Sequence, residues 1–286
     1  MRHGLSRGLM ATAGLCLLTA APASAAAFFF STGNPDGRIG TLSVQAGGSQ
    51  LETETADDFI LANPVNITGA TFVGLLPSGA PLSSVSNVEV EIYHVFPVDS
   101  VNPPDGRVPT RVNSPADIEI ASATRDGASG GLSFSATLLS PSFTVANSVV
   151  HGINPLPNQH TGGEGAVTGE EVQLSLAFTP GIDLAPGHYF FRPEVLDTDN
   201  SFLWLSAAKP IVGGTGPFTG DLQAWIRNDG PGALAPDWSR IGTDIVGGTT
   251  FNETFTLSGT VPEPGTLSLV GLALVGLGWA RRRRAA

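Results

Sequence analysis

The stretch that decides the fold is Val88-Glu89-Val90-Glu91-Ile92-Tyr93-His94-Val95-Phe96, in which apolar residues recur at every second position. A period of two is typical of a β-strand with one buried face, and here that face carries Val88, Val90, Ile92 and Phe96. The segment 172–178 repeats the pattern. Both segments therefore predict strands that cover a hydrophobic core.

Short strand signals of this kind recur along the chain. They lie at 69–76, 188–192, 201–206, 222–227 and 250–258. The chain has 36 glycines and 22 prolines, and turn-forming clusters separate the strand signals, while no long stretch shows helical periodicity. We therefore predict an all-β protein built as a single antiparallel β-sandwich of jelly-roll type, with long loops at 98–117 and 147–169.

The N-terminus has the pattern of a secretory signal peptide. A basic start with Arg2 and Arg7 precedes an apolar core at 9–18, and Ala23-Ser24-Ala25 supplies a small-residue cleavage site. Cleavage after Ala27 fits the same rule. Cys16, the only cysteine, lies within this segment, so the mature chain is expected to contain neither disulfides nor thiolate metal sites. The predicted division is a signal peptide at 1–25, a β-sandwich body at 26–260 and a C-terminal tail at 261–286.

The C-terminal tail has three parts. Val261-Pro262-Glu263-Pro264-Gly265-Thr266 is followed by an uncharged stretch at 267–280 and then by Arg281-Arg282-Arg283-Arg284. A helix over 264–280 is roughly 25 Å long, close to the hydrocarbon thickness of about 30 Å. The arginines favour the cytoplasmic side. The tail therefore predicts a transmembrane helix in the inner membrane, and a permanent anchor is one interpretation of it.

The tail also resembles the PEP-CTERM sorting signal of Gram-negative bacteria. The resemblance rests on Pro262, Glu263 and Pro264, on the apolar run, and on the cluster Arg281, Arg282, Arg283 and Arg284. It implies that an exosortase, a membrane-embedded protease, recognises the Pro-Glu-Pro triplet and removes the anchor. The protein would then pass from the inner membrane to the cell surface or the medium.

The body resembles a group of secreted PEP-CTERM proteins of unknown activity. The residues that carry this resemblance are the turn Asn34–Gly37 and the segment Glu54-Thr55-Ala56-Asp57-Asp58-Phe59. The resemblance implies the export route and the fold, and it implies no activity.

The charge of the body limits its partners. Eight of the 14 basic residues and 24 of the 25 acidic residues lie within 26–260, which leaves a formal net charge of −16. Such a surface repels nucleic-acid phosphates and attracts divalent cations, so a nucleic-acid partner is not expected.

Two acidic motifs are candidates for calcium ligands. Asp197-Thr198-Asp199-Asn200 places alternating carboxylates in a predicted loop, where Asp197 and Asp199 can converge on one ion. A polar turn between strands explains the same residues. Asp57 and Asp58 lie within a predicted strand, so their side chains are expected on opposite faces, one buried and hydrogen-bonded and the other near solvent. We expect no cofactor, with structural calcium as the exception.

Three tryptophans of the body are candidates for stacking against sugar rings. Trp204 and Trp225 lie in apolar segments that favour burial, whereas Trp238 follows Ala235-Pro236-Asp237 and is expected to be the most exposed. No nucleophile elbow or phosphate-binding glycine loop occurs, and the histidines lack zinc-ligand spacing.

Three classes of function remain. The first is a noncatalytic protein of the envelope or extracellular matrix, associated with exopolysaccharide and biofilm. The second is a calcium-dependent carbohydrate-binding module. The third is a secreted glycan hydrolase, which would need a cleft with two facing carboxylates.

Overall fold

The computed structural model describes residues 25–47, 51–96, 113–116, 118–153, 159–209, 220–228, 238–248 and 250–262. One compact unit spans Ala26–Pro262. The predicted signal peptide and the predicted membrane helix with its arginines lie outside the described residues, apart from Ala25 and the two residues that open the tail. Within the described ranges, no helix is long and apolar enough to cross a membrane.

The compact unit is built from fourteen strands in the described part of the chain. They are β1 Ala26–Ser31, β2 Pro35–Leu42, β3 Thr53–Leu61, β4 Val65–Leu76, β5 Asn87–His94, β6 Arg125–Asp126, β7 Leu132–Val145, β8 Asn147–Val149, β9 Val167–Leu184, β10 Gly187–Leu196, β11 Leu203–Ala207, β12 Trp225–Asn228, β13 Ser239–Arg240 and β14 Phe255–Val261. Two short 3₁₀ turns at Leu82–Ser84 and Ala121–Ala123 and one π-helical turn at Ile241–Val246 complete the regular structure.

The described strands form two sheets. The eight-stranded sheet has the order β1-β14-β4-β11-β2-β8, and β9 and β7 extend from β4. The six-stranded sheet has the order β13-β12-β3-β10-β5-β6. Among these strand pairs, β2 and β8 are parallel and the others are antiparallel. The prediction of a mostly β chain is confirmed, the prediction of a purely antiparallel fold is wrong, and the jelly-roll connectivity stays a prediction.

The main core lies between the two sheets. Phe59 and Phe191 come from the six-stranded sheet, and Trp204 and Phe255 come from the eight-stranded sheet. The ring of Phe191 stacks on that of Phe255 at 5.1 Å between centroids and meets Trp204 edge-on at 6.0 Å. Aromatic rings in offset or edge-on contact stabilise a core beyond the area that they bury. The two sheets therefore pack face to face in a sandwich-like arrangement.

The segment 88–96 agrees with the prediction on one face only. Val88, Val90 and Ile92 are buried in the core between the sheets. Phe96 lies beyond the end of β5 and is half-buried, so its predicted place on the core face is wrong. Tyr93, expected opposite the core, is also fully buried. The six-stranded sheet is therefore covered on both faces at this strand.

The two ends of the compact unit meet at one sheet edge. Strand β1 pairs antiparallel with β14, and Ala26 lies opposite Val261. Pro262 follows β14 directly and is exposed. The first and last strands of the fold therefore begin and end at the predicted processing sites.

Candidate functional site

The outer face of the six-stranded sheet, opposite the core, carries charged residues at matched positions of neighbouring strands. In the β10–β5 register, Arg192 lies opposite Glu91, and Glu194 lies opposite Glu89. Opposite charges in register stabilise a strand pair, and like charges destabilise it. The sheet therefore brings together one compensated pair and one pair of carboxylates.

Arg192 is the centre of this charged face. Its side chain is 3% exposed and its guanidinium lies near four carboxylates. The Nη1 atom is 2.6 Å from Oε2 of Glu194, and Nη2 is 2.8 Å from Oε2 of Glu91 and 3.4 Å from Oε1 of Glu52. The Nε atom is 3.3 Å from Oε2 of Glu54. Nearby carboxylates oppose the cost of burying the guanidinium, and the pKa of Arg192 lies above its usual value.

Arg227 supplies a second cation from β12, where it lies opposite Glu54. Its Nη2 and Nε atoms are 2.8 and 2.9 Å from Oε2 of Glu54, and Nη2 donates to the Tyr93 hydroxyl at 3.1 Å. Tyr93 donates in turn to Glu91. Burial raises the pKa of Tyr93, so its hydroxyl stays protonated and remains a donor. We call Glu52, Glu54, Glu91, Tyr93, Arg192, Glu194 and Arg227 the Arg192 cluster.

A local opening of the sheet makes room for the Arg192 cluster. Strands β3 and β10 pair from Leu61 and Gly187 as far as Asp57 and Phe191. Beyond that point Val44 bridges to both Thr53 and Val195. The chain after β2 therefore inserts between β3 and β10, and long glutamate side chains can converge on one arginine across the wider gap.

The positive charges of the cluster do not balance its carboxylates. Glu194 is 0% exposed; its Oε2 atom is paired with Arg192, and its Oε1 atom has no hydrogen-bond partner in the described residues. Burial raises the pKa of Glu194 well above its usual value, although Arg192 lowers it. Burial also raises the pKa of the neighbouring Glu89 to about 7. Buried carboxylates without sufficient positive charge bind protons or a cation.

Three of these carboxylates are close enough to share one ion. Oxygens of Glu52, Glu54 and Glu194 all lie within 4.8 Å of one another. In the ranges that the structure describes, no other group of three histidine, cysteine or acidic side chains meets the same distance. Hard oxygen ligands of this kind suit calcium or magnesium.

A second acidic cluster surrounds the Asp57-Asp58 pair. Asp57 Oδ2 accepts the backbone N–H of Glu253 at 2.8 Å, and Asp58 Oδ1 accepts that of Leu222 at 2.8 Å. Asp58 Oδ2 lies 2.5 Å from Nε2 of His188. Each carboxylate thus ties β3 to a different neighbouring segment. Asp57 and Asp58 are both buried, so the expectation that one of them reaches solvent is wrong.

Burial dominates the electrostatics of Asp57 and Glu253. It raises the pKa of both carboxyl groups well above their usual values, and the negative charges of Asp58 and Asp221 raise that of Asp57 further. Oδ1 of Asp57 and Oε2 of Glu253 have no hydrogen-bond partner in the described residues. Burial therefore favours the neutral, protonated form of both groups.

A cavity of about 230 Å³ lies beside this second cluster. Asp58, Asp221, Lys209 and Phe30 are among the residues that line it. Two carboxylates facing one cavity are what the hydrolase hypothesis requires, but both oxygens of Asp58 already take part in hydrogen bonds. Pockets for organic ligands measure about 300–1,000 Å³, so this one is small for a sugar ring and its neighbours.

The segment Asp197-Thr198-Asp199-Asn200, a candidate calcium site from the sequence, forms a polar turn. Asp197 is buried, and its Oδ1 atom accepts the backbone N–H of Ser201 at 3.0 Å. The N–H of Asn200 donates to the Asp197 carbonyl, and Asn200 adopts a left-handed conformation. Asp199 is exposed. Within the described ranges, no third acidic or histidine ligand joins Asp197 and Asp199 at metal-binding distance.

The three tryptophans are buried. Trp204 donates to the Thr254 carbonyl at 2.7 Å within the core, and Trp225 is 1% exposed. Trp238 is 0% exposed, so the expectation that it is the most exposed is wrong. Its ring packs edge-on against Tyr93 at 5.6 Å, and the Arg227 guanidinium lies 4.5 Å from the ring centroid. None of the three indoles therefore presents a face to solvent for a sugar.

The Arg192 cluster was not predicted, although the sequence contains a signal for it. Three pairs of charged residues in or next to strands are spaced two residues apart: Glu52 and Glu54, Glu89 and Glu91, and Arg192 and Glu194. This spacing puts each pair on one face of its strand. Adjacency of the strands, which the spacing does not show, makes these pairs a cluster.

Comparison with known proteins finds a match for the C-terminal tail. The chain matches no curated protein and no solved structure. Residues 260–284 match the family model described as the PEP-CTERM protein-sorting motif, which includes the predicted Pro-Glu-Pro triplet and the four arginines. This motif is that of secreted proteins of Gram-negative bacteria that are anchored by the C-terminal signal and processed by an exosortase, a membrane protein. The tail of the chain therefore carries a PEP-CTERM sorting motif.

Proposed function

We propose that this protein is a noncatalytic component of the cell envelope or extracellular matrix that associates with exopolysaccharide after exosortase processing. The single observation that carries the proposal is that the folded unit starts directly after the predicted signal peptide and ends where the sorting motif lies. Strand β1 begins at Ala26, β14 ends at Val261, and the sorting motif begins at residue 260. Removal of both ends therefore leaves all fourteen described strands.

The pairing of the first and last strands supports release of a folded body. Because Ala26 and Val261 lie opposite each other, backbone hydrogen bonds of the sheet tie down both new termini. Pro262 is exposed directly after β14, so the start of the Pro-Glu-Pro triplet is accessible next to the folded unit. A protease can act there without unfolding a strand.

The chemistry of the body favours a structural role over catalysis. At the cavity, Asp58 is engaged by His188 and by the backbone N–H of Leu222, and Asp221 accepts from the Asn252 side chain. The Arg192 cluster holds a network of ion pairs. The net charge of −16 favours solubility and binding of divalent cations, as in a hydrated matrix. Carbohydrate binding by a calcium-dependent module is the alternative, and it requires a surface other than the three buried indoles.

Intact-mass measurement of the native protein from membranes and from culture medium tests the processing step. We expect a mature chain that begins at Ala26 or Phe28 and ends near Pro262–Pro264. Pro264→Ala should keep the arginine tail, and Thr266→Ala, outside the triplet, should be processed normally. A retained tail in every fraction of the unmodified protein contradicts the proposal.

A glycan array tests the association with exopolysaccharide. The body and an acidic polysaccharide are both negatively charged, so we expect them to bind through bridging calcium ions and expect removal of calcium to weaken this binding. Binding to a defined oligosaccharide that calcium removal abolishes favours the carbohydrate-binding module instead. Absence of binding in both conditions removes exopolysaccharide from the proposal.

A further inference from the structure

We propose that Glu52, Glu54 and Glu194 form a calcium site on the outer face of the six-stranded sheet. This site is distinct from the Asp197–Asp199 turn, and it does not depend on the sorting route. Glu194 lies on β10, Glu54 lies on β3 and Glu52 directly precedes β3, where the two strands diverge around Val44.

The spacing of the oxygens fits calcium. Calcium binds oxygens at about 2.3–2.6 Å, so two ligands on opposite sides of one ion are about 5 Å apart. The three carboxylate oxygens lie within 4.8 Å of one another, which allows all three to contact a single ion. Bidentate binding and water complete the six to eight ligands that calcium takes.

The unsatisfied carboxylate Glu194 points to a missing positive charge. It is 0% exposed, its Oε1 atom has no hydrogen-bond partner in the described residues, and one of its oxygens lies within 4.8 Å of oxygens of Glu52 and Glu54. Arg192 pairs with Oε2 of Glu194, but a buried carboxylate that is only partly compensated is still costly. A divalent cation supplies positive charge where Arg192, which is shared among four carboxylates, supplies too little.

The charge of the surrounding face is negative in total. With all groups ionised, Glu52, Glu54, Glu89, Glu91 and Glu194 carry five negative charges, and Arg192 and Arg227 carry two positive charges. One calcium ion reduces the resulting charge of −3 to −1. Glu52 is 31% exposed at its side chain, so an ion can reach the site from solvent on that side.

Calcium titration of the full chain in detergent, after removal of metals with a chelator, tests this site. We expect one ion per chain with a dissociation constant of about 10⁻⁴ M, in the range of extracellular modules. Calcium at about 100 times that constant should raise Tm by roughly 5–10 °C. Calorimetry gives the stoichiometry, and differential scanning measurements give the shift.

Three variants decide where the ion binds. Glu194→Gln and Glu52→Gln should each weaken calcium binding at least about tenfold, because each removes a charged ligand. Asp199→Asn is the matched control and should bind calcium as the unmodified protein does. Glu52 is partly exposed, so Glu52→Gln decides the matter if Glu194→Gln does not fold. The proposal is overturned if the unmodified protein binds no calcium, or if only Asp199→Asn loses binding.

Discussion

The two faces of the six-stranded sheet use the same strands for opposite kinds of chemistry. On the inner face, Phe59 and Phe191 pack against aromatic rings of the other sheet. The adjacent residues Asp58 and Arg192 lie on the outer face, where Arg192 is buried among carboxylates. Neighbouring positions of one strand thus contribute to stability through contact area on one side and through charge compensation on the other.

The two faces also neutralise their buried carboxylates in different ways. Asp57 on the inner face has carboxylates and a backbone N–H around it, and its raised pKa favours a bound proton. On the outer face, Arg192 forms ion pairs with Glu54 and Glu91, and Arg227 forms an ion pair with Glu54. Buried carboxylates of one sheet are therefore compensated differently on its two faces, because the partners within reach differ.

The largest effect is expected from Arg192→Met. The substitution keeps most of the apolar stem but leaves four carboxylates without their shared cation, so the free energy of unfolding should fall by about 5 kcal/mol. Chemical denaturation measures this change. The matched control Arg38→Met removes an arginine whose side chain is 70% exposed, and it should change stability by less than about 1 kcal/mol. Equal effects of the two substitutions would show that the outer face does not depend on charge compensation.

A smaller loss is expected from Phe191→Ala, one residue away on the inner face. Removal of a fully buried ring that stacks on Phe255 leaves a cavity, so the free energy of unfolding should fall by about 3–4 kcal/mol. Denaturation at several salt concentrations measures both the loss and its salt dependence, and we expect no salt dependence. Phe29→Ala, at a residue that is 71% exposed on β1, is the control and should lie within about 0.5 kcal/mol of the unmodified protein. A salt-dependent loss for Phe191→Ala would contradict the division between the two faces.

The smallest effect is expected from Glu253→Gln, and it depends on pH. A carboxyl group with a raised pKa in the folded chain stabilises the fold below its unfolded pKa, and this contribution is lost as pH rises through the folded pKa. Glu253 and Asp57 both have raised pKa values, so part of the stability should be lost as pH increases from mildly acidic to alkaline values. Glu253→Gln mimics the protonated acid and should exceed the unmodified protein in stability by on the order of 1 kcal/mol at alkaline pH.

Thermal unfolding between pH 5 and pH 9 measures the difference. The two stability curves should approach each other toward acidic pH. Asp199→Asn, at an exposed carboxylate, should follow the unmodified protein over the whole range. A constant difference between Glu253→Gln and the unmodified protein would mean that Glu253 does not take up a proton on folding.

Much of the fold could be predicted because strand periodicity is a local property. The segment 172–178 lies within β9, and Val88, Val90 and Ile92 face the core as their spacing predicts. The fourteen-residue strand β7 was not predicted. Its Leu132-Ser133-Phe134-Ser135 opening alternates, but its centre at Leu138-Leu139-Ser140-Pro141 interrupts the period, and pairing with β9 shifts register at that point. The parallel β2–β8 pair also joins segments that are distant in sequence.

Among the functional residues, the sorting motif could be predicted from the sequence, whereas the environments of the other candidate residues could not. The sorting motif could be read from consecutive residues because an exosortase recognises a short linear segment, and residues 260–284 match it. Trp238 was expected at the surface because its local sequence is polar, but Tyr93 and Arg227, which are distant in the chain, cover it. Asp197 and Asp199 looked like calcium ligands because they alternate in a turn, but Ser201 engages Asp197.

The sequence by itself therefore determined the sorting motif, the β-strand character of the chain and the apolar faces of several strands, because each follows from residues within one short segment. Only the tertiary structure decided which polar residues are buried together. Glu52, Glu54, Arg192 and Glu194 meet because β3 and β10 part around Val44, and this arrangement depends on strand pairing between distant segments. The charge balance of the outer face, and with it the proposed calcium site, is a consequence of that pairing.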